Sequence, residues 1–201
     1  MLARRYEYVG LEPDIRSYET ARKRIGTDGR VVNISVEELP HAETFDLVCA
    51  LEVLEHLEED RAALELWSTH VRPGGWLLVS VPAGRGRFGR SDAIVGHVRR
   101  YDREDLRAAL ESAGLVDVRV RTYGFPLGYV LEAARNRLLA DRDSGASREE
   151  RTATSGRWLP APERLALPMR VVTAPFCLVQ RPFAGTRLGT GLVARGRRPE
   201  R

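Results

Sequence analysis

Hydrophobic positions follow two alternating rhythms along the first two-thirds of the chain, one strand-like and one helix-like. Tyr6 to Leu11 reads as a short strand that ends at Glu12-Pro13. Asp14 then caps a helix whose apolar stripe is Ile15, Tyr18, Ala21 and Ile25, with Gly26 as its stop. Val31 to Ile34 is a second strand and Phe45 to Leu51 a third. Acidic Glu58-Glu59-Asp60 suits the positive start of a helix with the stripe Ala63, Leu64, Trp67 and Val71. Arg72-Pro73-Gly74-Gly75 predicts a tight turn, and Trp76 to Val81 a fully buried strand stopped by Pro82. Asp102 caps a further helix that buries Leu106, Ala109, Leu110 and Ala113 and stops at Gly114. Val116, Val118 and Val120 then alternate as one more strand.

This order predicts an α/β fold, a doubly wound and mostly parallel sheet with covering helices. From Gly124 the regularity weakens, which separates residues 1–123 from a C-terminal extension over 124–201. There Leu127, Leu131, Ala134 and Leu138 predict an amphipathic helix, and Asp141 to Arg157 a polar, mobile loop. Trp158 to Phe183 is apolar but broken by five prolines, as in short helices lining a pocket or a partner surface. Gly189 to Arg195 predicts a last strand.

Composition narrows the class. The 201 residues carry a net charge of +4, with 43% hydrophobic and 30% charged residues, as one globular domain does. No apolar run approaches the roughly 20 residues that span a bilayer. The first eight residues lack the apolar region of a signal peptide, so a cytoplasmic protein is expected. Cys49 and Cys177 sit in apolar settings without metal-ligand spacing; buried reduced thiols are expected, and no metal site is read. Lys23 is the only lysine, so the basic excess is arginine. It is spread among acidic residues rather than striped, so no nucleic-acid partner is expected. Contact with a membrane surface has no support in the pattern, and nothing specifies an oligomeric state.

Ligands of open parallel sheets lie beyond the carboxyl ends of the strands. Glu12 stands at the end of the first strand, where a carboxylate can accept both hydrogen bonds of a ribose diol. Pro13 follows it. Ser35-Val36-Glu37 follows the second strand and offers backbone and polar groups to an adenine ring. Leu51-Glu52 closes the third, with Glu55 and His56 crowding the same edge.

Taken in order, Phe45-Asp46-Leu47-Val48, Leu54-Glu55-His56-Leu57 and Val71-Arg72-Pro73-Gly74-Gly75-Trp76 through Pro82 resemble a class I S-adenosylmethionine-dependent methyltransferase. Val9 to Asp14 resembles that family's second strand with its ribose-binding acid, and Glu38-Leu39-Pro40 the approach to its fourth. Gly96-His97-Val98-Arg99-Arg100-Tyr101, with Leu106 and Ala113-Gly114-Leu115, is similar to small-molecule members. The resemblance covers about Tyr6 to Tyr123, with a possible last strand near Leu192.

It implies a Rossmann-like fold, S-adenosylmethionine as cofactor, and methyl transfer to a small-molecule or lipid-like acceptor. Glu12, Pro13, Ser35, Val36, Glu37, Leu51 and Glu52 are its implied cofactor contacts. His97 is the first candidate for proton acceptor or acceptor contact, followed by His56 and Tyr101. Methyl transfer rests largely on alignment, and a base is needed only where the acceptor must lose a proton. Arg99 and Arg100 are candidates to neutralise an acidic acceptor or to be solvated. Tyr123, Phe125 and Trp158 are candidates to wall its pocket, or are simply core. Arg85, Arg87 and Arg90 read as a mobile lid or a solvated loop.

One departure is large. The family opens with a strand and a GxGxG loop, whereas this sequence starts at what resembles the second strand. Residues upstream of Met1 are therefore expected in the working protein. The alternatives are a catalytically silent binding module and, with no GxGxxG ahead of its ribose acid, a nicotinamide-dependent oxidoreductase.

Overall fold

The computed structural model describes residues 5–139, 176 and 178–200. The segment 141–157, most of 158–183, Trp158 and Cys177 lie outside the described residues. The chain divides into two compact units, residues 1–43 and 44–201.

In the first unit, β1 (Val9–Leu11) and β2 (Arg30–Val32) pair in parallel, joined by helix α1 (Ile15–Ile25). Both ends of α1 are made by the residues the sequence singles out. The Asp14 carboxylate accepts the Ser17 N–H at 2.8 Å, and Gly26 closes the helix at φ 59°. Asn33 donates through Nδ2 to the carbonyls of Glu12 (2.7 Å) and Pro13 (2.9 Å), fixing the chain just past β1. Ser35 opens a 3-10 turn over Val36–Glu38, its N–H held by Glu38 Oε2 at 2.8 Å.

The second unit contains β3 (Phe45–Leu51), α2 (Asp60–Thr69), β4 (Val71–Pro82), α3 (Arg90–Ile94), α4 (Arg103–Ser112), β5 (Val116–Tyr123), α5 (Leu127–Leu139) and β6 (Gly191–Arg197). Its sheet runs β3-β4-β6-β5. β4 lies parallel to β3, while β6 is antiparallel to both β4 and β5. The predicted last strand therefore sits inside the sheet and joins the extension to the main fold. The fold is α/β with a mostly parallel sheet, as the alternating rhythms predict. The core is made where α2 and α4 meet the central strands. Leu64, Val71, Leu77, Val79, Val81, Leu106 and Leu110 are completely buried there. Among the described residues, no helix is long and apolar enough to cross a membrane.

Four local readings are corrected. Val71 belongs to β4 and pairs with Phe45 rather than ending the stripe of α2, because the helix stops at Thr69. Arg72-Pro73-Gly74-Gly75 is consequently an irregular stretch of β4, where the register to β3 shifts, rather than a separate turn. Asp102 stands at the start of α4 but makes no cap hydrogen bond, its carboxylate accepting Arg85 N–H at 3.2 Å. Cys49 is exposed, since the alternation along edge strand β3 that buries Ala50 turns its neighbour outward.

Gly74 and Gly75 are required by this shift. Gly74 has φ 77°, and a Cβ on Gly75 would stand 2.8 Å from the Asp46 carbonyl oxygen. Gly86 has open space around it. Gly75→Ala should cost about 1–3 kcal/mol in urea unfolding. Gly86→Ala should stay within about 0.5 kcal/mol of the parent. Equal midpoints for the two variants would contradict a steric requirement at Gly75.

Candidate functional site

The second unit brings its chemistry together beyond the carboxyl ends of β3 and β4. Glu52, directly after β3, has φ 56°, a conformation uncommon for a residue with a side chain. Strained backbone of this kind persists where neighbours over-determine it, and it clusters at functional sites. Here the Glu52 N–H donates to the Ser80 carbonyl at 3.0 Å. Glu52 Oε1 accepts from Ser80 Oγ at 2.7 Å and from the Tyr123 hydroxyl at 3.0 Å. A Cβ on Gly191 would overlap the Tyr123 ring, so this glycine leaves the tyrosine room beside β6.

The 3-10 turn Leu54–His56 then drives Glu55 inward until it is 0% exposed. Neither carboxylate oxygen of Glu55 has a hydrogen-bond partner. Burial first, and the charge of Glu52 second, push its pKa up to about 8. The group is therefore mostly protonated at neutral pH.

Asp92, on the short helix α3, is also 0% exposed but well supplied with donors. Its Oδ1 accepts from Arg100 Nε at 2.9 Å and lies 3.1 Å from His97 Nδ1; its Oδ2 accepts the Gly89 N–H at 2.9 Å. Burial raises its pKa, yet the bonds from His97, Arg100 and Gly89 outweigh this and hold it down at about 2. Arg100 is equally enclosed and reaches Glu132 Oε1 at 2.5 Å with its second arm. Glu132 also pairs with Arg87, which stacks on Tyr129 at 4.3 Å and donates to the Gly189 carbonyl at 3.0 Å. A chain of alternating charges thus ties α3, the loop before α4 and helix α5 together.

These contacts orient two imidazoles. His97 Nδ1 faces the ionised Asp92, and His56 Nδ1 faces the Gly96 carbonyl at 3.1 Å. Both partners only accept, so Nδ1 is the protonated nitrogen in each neutral ring. His97 Nε2 then lies 3.7 Å from Glu55 Oε1. The two rings meet edge to face, with centroids 4.9 Å apart. Burial, then the proximity of His97, lowers the pKa of His56.

Of the three catalytic candidates, His56 and His97 come together and Tyr101 stands apart. The buried Tyr101 hydroxyl donates to Asp60 Oδ2 at 2.7 Å, and burial followed by Asp60 pushes its pKa up. It ties α2 to the loop before α4. Arg99 is engaged with Asp60 at 2.9 Å and the Glu58 carbonyl at 2.7 Å. Arg100 is neither solvated nor available to an acidic acceptor, because the chain's own carboxylates occupy its fork. Phe125 packs on Phe183 and Tyr129. Arg87 is held rather than solvated, whereas Arg85 makes an exposed pair with Asp105.

Leu51 and Glu52 lie at this edge of the second unit, with Leu51 exposed. Glu12, Pro13, Ser35, Val36 and Glu37 belong to the first unit, past the ends of β1 and β2. Glu12 Oε1 accepts the Asp14 N–H at 3.1 Å, and burial raises the pKa of the half-buried carboxyl. The sequence reading passed over Asp92 and Glu132 and named no role for Glu55. Only Glu55 carried a signal, through its place beside His56.

A cavity of about 270 Å³ opens beside this constellation, lined among others by Glu52, Asp92, His97, Arg100, Tyr123 and Glu132. Its polar wall is thus built from the network just described.

The methyltransferase-domain family matches residues 1–120, and the chain belongs to it as a class I S-adenosylmethionine-dependent methyltransferase. No curated protein matches the sequence. Similar folds include the N-methyltransferase NodS of Bradyrhizobium japonicum WM9, solved with S-adenosylhomocysteine. It shows 18% identity and a TM-score of 0.53 over 96% of this chain and 67% of that one. A possible histamine N-methyltransferase of Thermotoga maritima shows 17% identity and a TM-score of 0.55 over 94% and 72%. Phosphoethanolamine N-methyltransferase 2 of Haemonchus contortus, solved with S-adenosyl-L-methionine, shows 13% identity and a TM-score of 0.57 over 96% and 43%.

Removing Asp92 leaves Arg100 buried with a single carboxylate partner, Glu132, and unfixes His97. Asp92→Ala should therefore cost about 3–5 kcal/mol in chemical unfolding. Asp105→Ala breaks only the exposed pair with Arg85 and should cost at most about 1 kcal/mol. Similar losses for the two would mean that the Asp92 network does not hold the site.

Proposed function

We propose that this methyltransferase acts on a small polar acceptor seated in the cavity beside His97, with S-adenosylmethionine as methyl donor. The observation that carries the reading is a cavity whose polar wall includes His97, with His56 edge to face against that ring and both Nδ1 protons fixed elsewhere. Each Nε2 is thereby kept as a proton acceptor, which suits an acceptor molecule whose nucleophilic atom arrives protonated. His97 lines the cavity directly and is the proton-accepting or acceptor-orienting residue; His56 supports it. A volume near 270 Å³ and a lining of carboxylates and arginines suit a compact polar molecule better than a lipid-like one.

The residues present fit the ribose of the cofactor. Glu12 stands at a strand end with one oxygen anchored on a backbone N–H, and a carboxylate offers what a diol needs. Ser35, Val36 and Glu37 follow β2 in the same unit as Glu12 and are the nucleoside contacts of this reading there. Bound S-adenosylmethionine supplies a methyl group on a positively charged sulfur, already activated for transfer. The chain's own part is to hold the nucleophile in line and take up its proton. The sequence contains no GxGxG loop of the kind that wraps the methionine end of this cofactor.

Calorimetric titration of S-adenosylhomocysteine into the full chain tests this reading. Micromolar binding is expected, weakened about tenfold or more by Glu12→Ala, as for loss of a charged hydrogen-bond acceptor. A folded chain that binds no S-adenosylhomocysteine would instead be a methyltransferase-like binding module.

A further inference from the structure

The Glu55, His56 and His97 cluster poses a problem of its own: a buried carboxyl group and two imidazoles converge on one another. A Glu55 oxygen and one ring nitrogen from each histidine lie within 4.8 Å of one another. Both Glu55 oxygens lack a hydrogen-bond partner although the residue is completely buried. The two Nδ1 protons are directed away, to Asp92 and to Gly96. Lone pairs aimed at a common point inside a protein repel one another unless a proton or a cation occupies it.

We propose that Glu55, His56 and His97 form a binding site for a single divalent transition-metal ion of the zinc class. Two imidazoles and one carboxylate are a donor set that zinc favours, and they leave a fourth position for another ligand. In tetrahedral zinc with bonds near 2.0–2.2 Å, ligand atoms stand roughly 3.3–3.6 Å apart. The His97 Nε2 to Glu55 Oε1 separation of 3.7 Å already meets this, and the widest separation closes by about an ångström through side-chain rotation. The surroundings match a metal site as well. Metal-bound histidines usually donate their other N–H to a carboxylate or a carbonyl, which fixes ring and tautomer. Asp92 does so for His97, and Gly96 for His56.

Because His97 lines the cavity, the fourth position faces the space where an acceptor would sit. A metal there binds a hydroxyl or carboxylate oxygen and lowers the pKa of a bound hydroxyl. The acceptor class it selects is therefore an oxygen-bearing molecule, and with metal bound the histidines are ligands, the metal taking over the proton-releasing role that His97 has in the metal-free site. Metal binding stands on the cluster alone; only its use toward an acceptor rests on the methyl-transfer reading.

The test uses the full, untagged chain, stripped with a chelator and titrated with Zn²⁺ or Co²⁺. One metal per chain is expected by elemental analysis, with visible absorption from a low-coordinate Co²⁺ centre. Glu55→Gln and His56→Gln should each weaken binding beyond the roughly 10–100-fold that loss of an outer partner costs. Failure of the parent chain to bind either metal would overturn the proposal, whatever the variants do. So would unchanged affinity in folded variants. S-adenosylhomocysteine titrated into the same samples keeps the two readings apart. A chain that takes the nucleoside but no metal refutes only this site, and one that takes metal but no nucleoside refutes only the methyl-transfer reading.

Discussion

The buried carboxylate of Asp92 is the contact on which the second unit's functional edge depends. It neutralises Arg100, accepts from Gly89 and takes the Nδ1 proton of His97. A carboxylate removed from water is costly unless donors surround it, and these three supply that compensation. Through Arg100 the same charge reaches Glu132 on α5, and through Glu132 it reaches Arg87. A helix from the C-terminal extension is thereby fastened to a loop that precedes α4. The geometry of the imidazoles is a consequence of this closure.

Donors and acceptors are distributed unequally across the site. Around Asp92, donors saturate one carboxylate and hold its pKa near 2. Around Glu55, a few residues away in space from the same histidine, no donor is provided and the pKa rises to about 8. Two buried carboxyl groups thus share His97 but differ in charge at neutral pH. Environments that push paired titratable groups apart mark places where protons or cations are handled. The left-handed backbone at Glu52, held by Ser80 and Tyr123, lies at the same strand end. This is where the carboxyl ends of an α/β sheet present their ligands.

The layout of elements was largely legible because it is written in local patterns. Asp14 and Gly26 bound α1 as capping chemistry predicts, and Val118 and Val120 alternate inward on β5. Where the pattern misled, tertiary pairing decided. Val71 continues the stripe of α2 at helical spacing, yet pairing with Phe45 draws it into β4. Cys49 sits in an apolar run, but an edge strand leaves one of its faces open. In the site, Leu54-Glu55-His56, just past β3, and Gly96-His97, just past α3, stand out in the sequence as short motifs. That Arg100 is enclosed does not, because its partners Asp92 and Glu132 lie eight residues upstream and 32 downstream of it. No periodicity connects them, and a charged residue in a loop reads by default as solvated. The engagement of Tyr101 is hidden for a related reason, since its partner Asp60 starts a helix 41 residues away.

The central claim is that Asp92 and Gly96 take the Nδ1 protons, leaving both Nε2 atoms as acceptors. Nitrogen-15 NMR of the histidine rings in the metal-stripped full chain at neutral pH reads this directly. The four histidines are assigned by single substitutions. The account predicts the Nδ1–H tautomer for both His56 and His97, with Nε2 unprotonated. A proton on Nε2 of either ring, as the other neutral tautomer or as imidazolium, would contradict it.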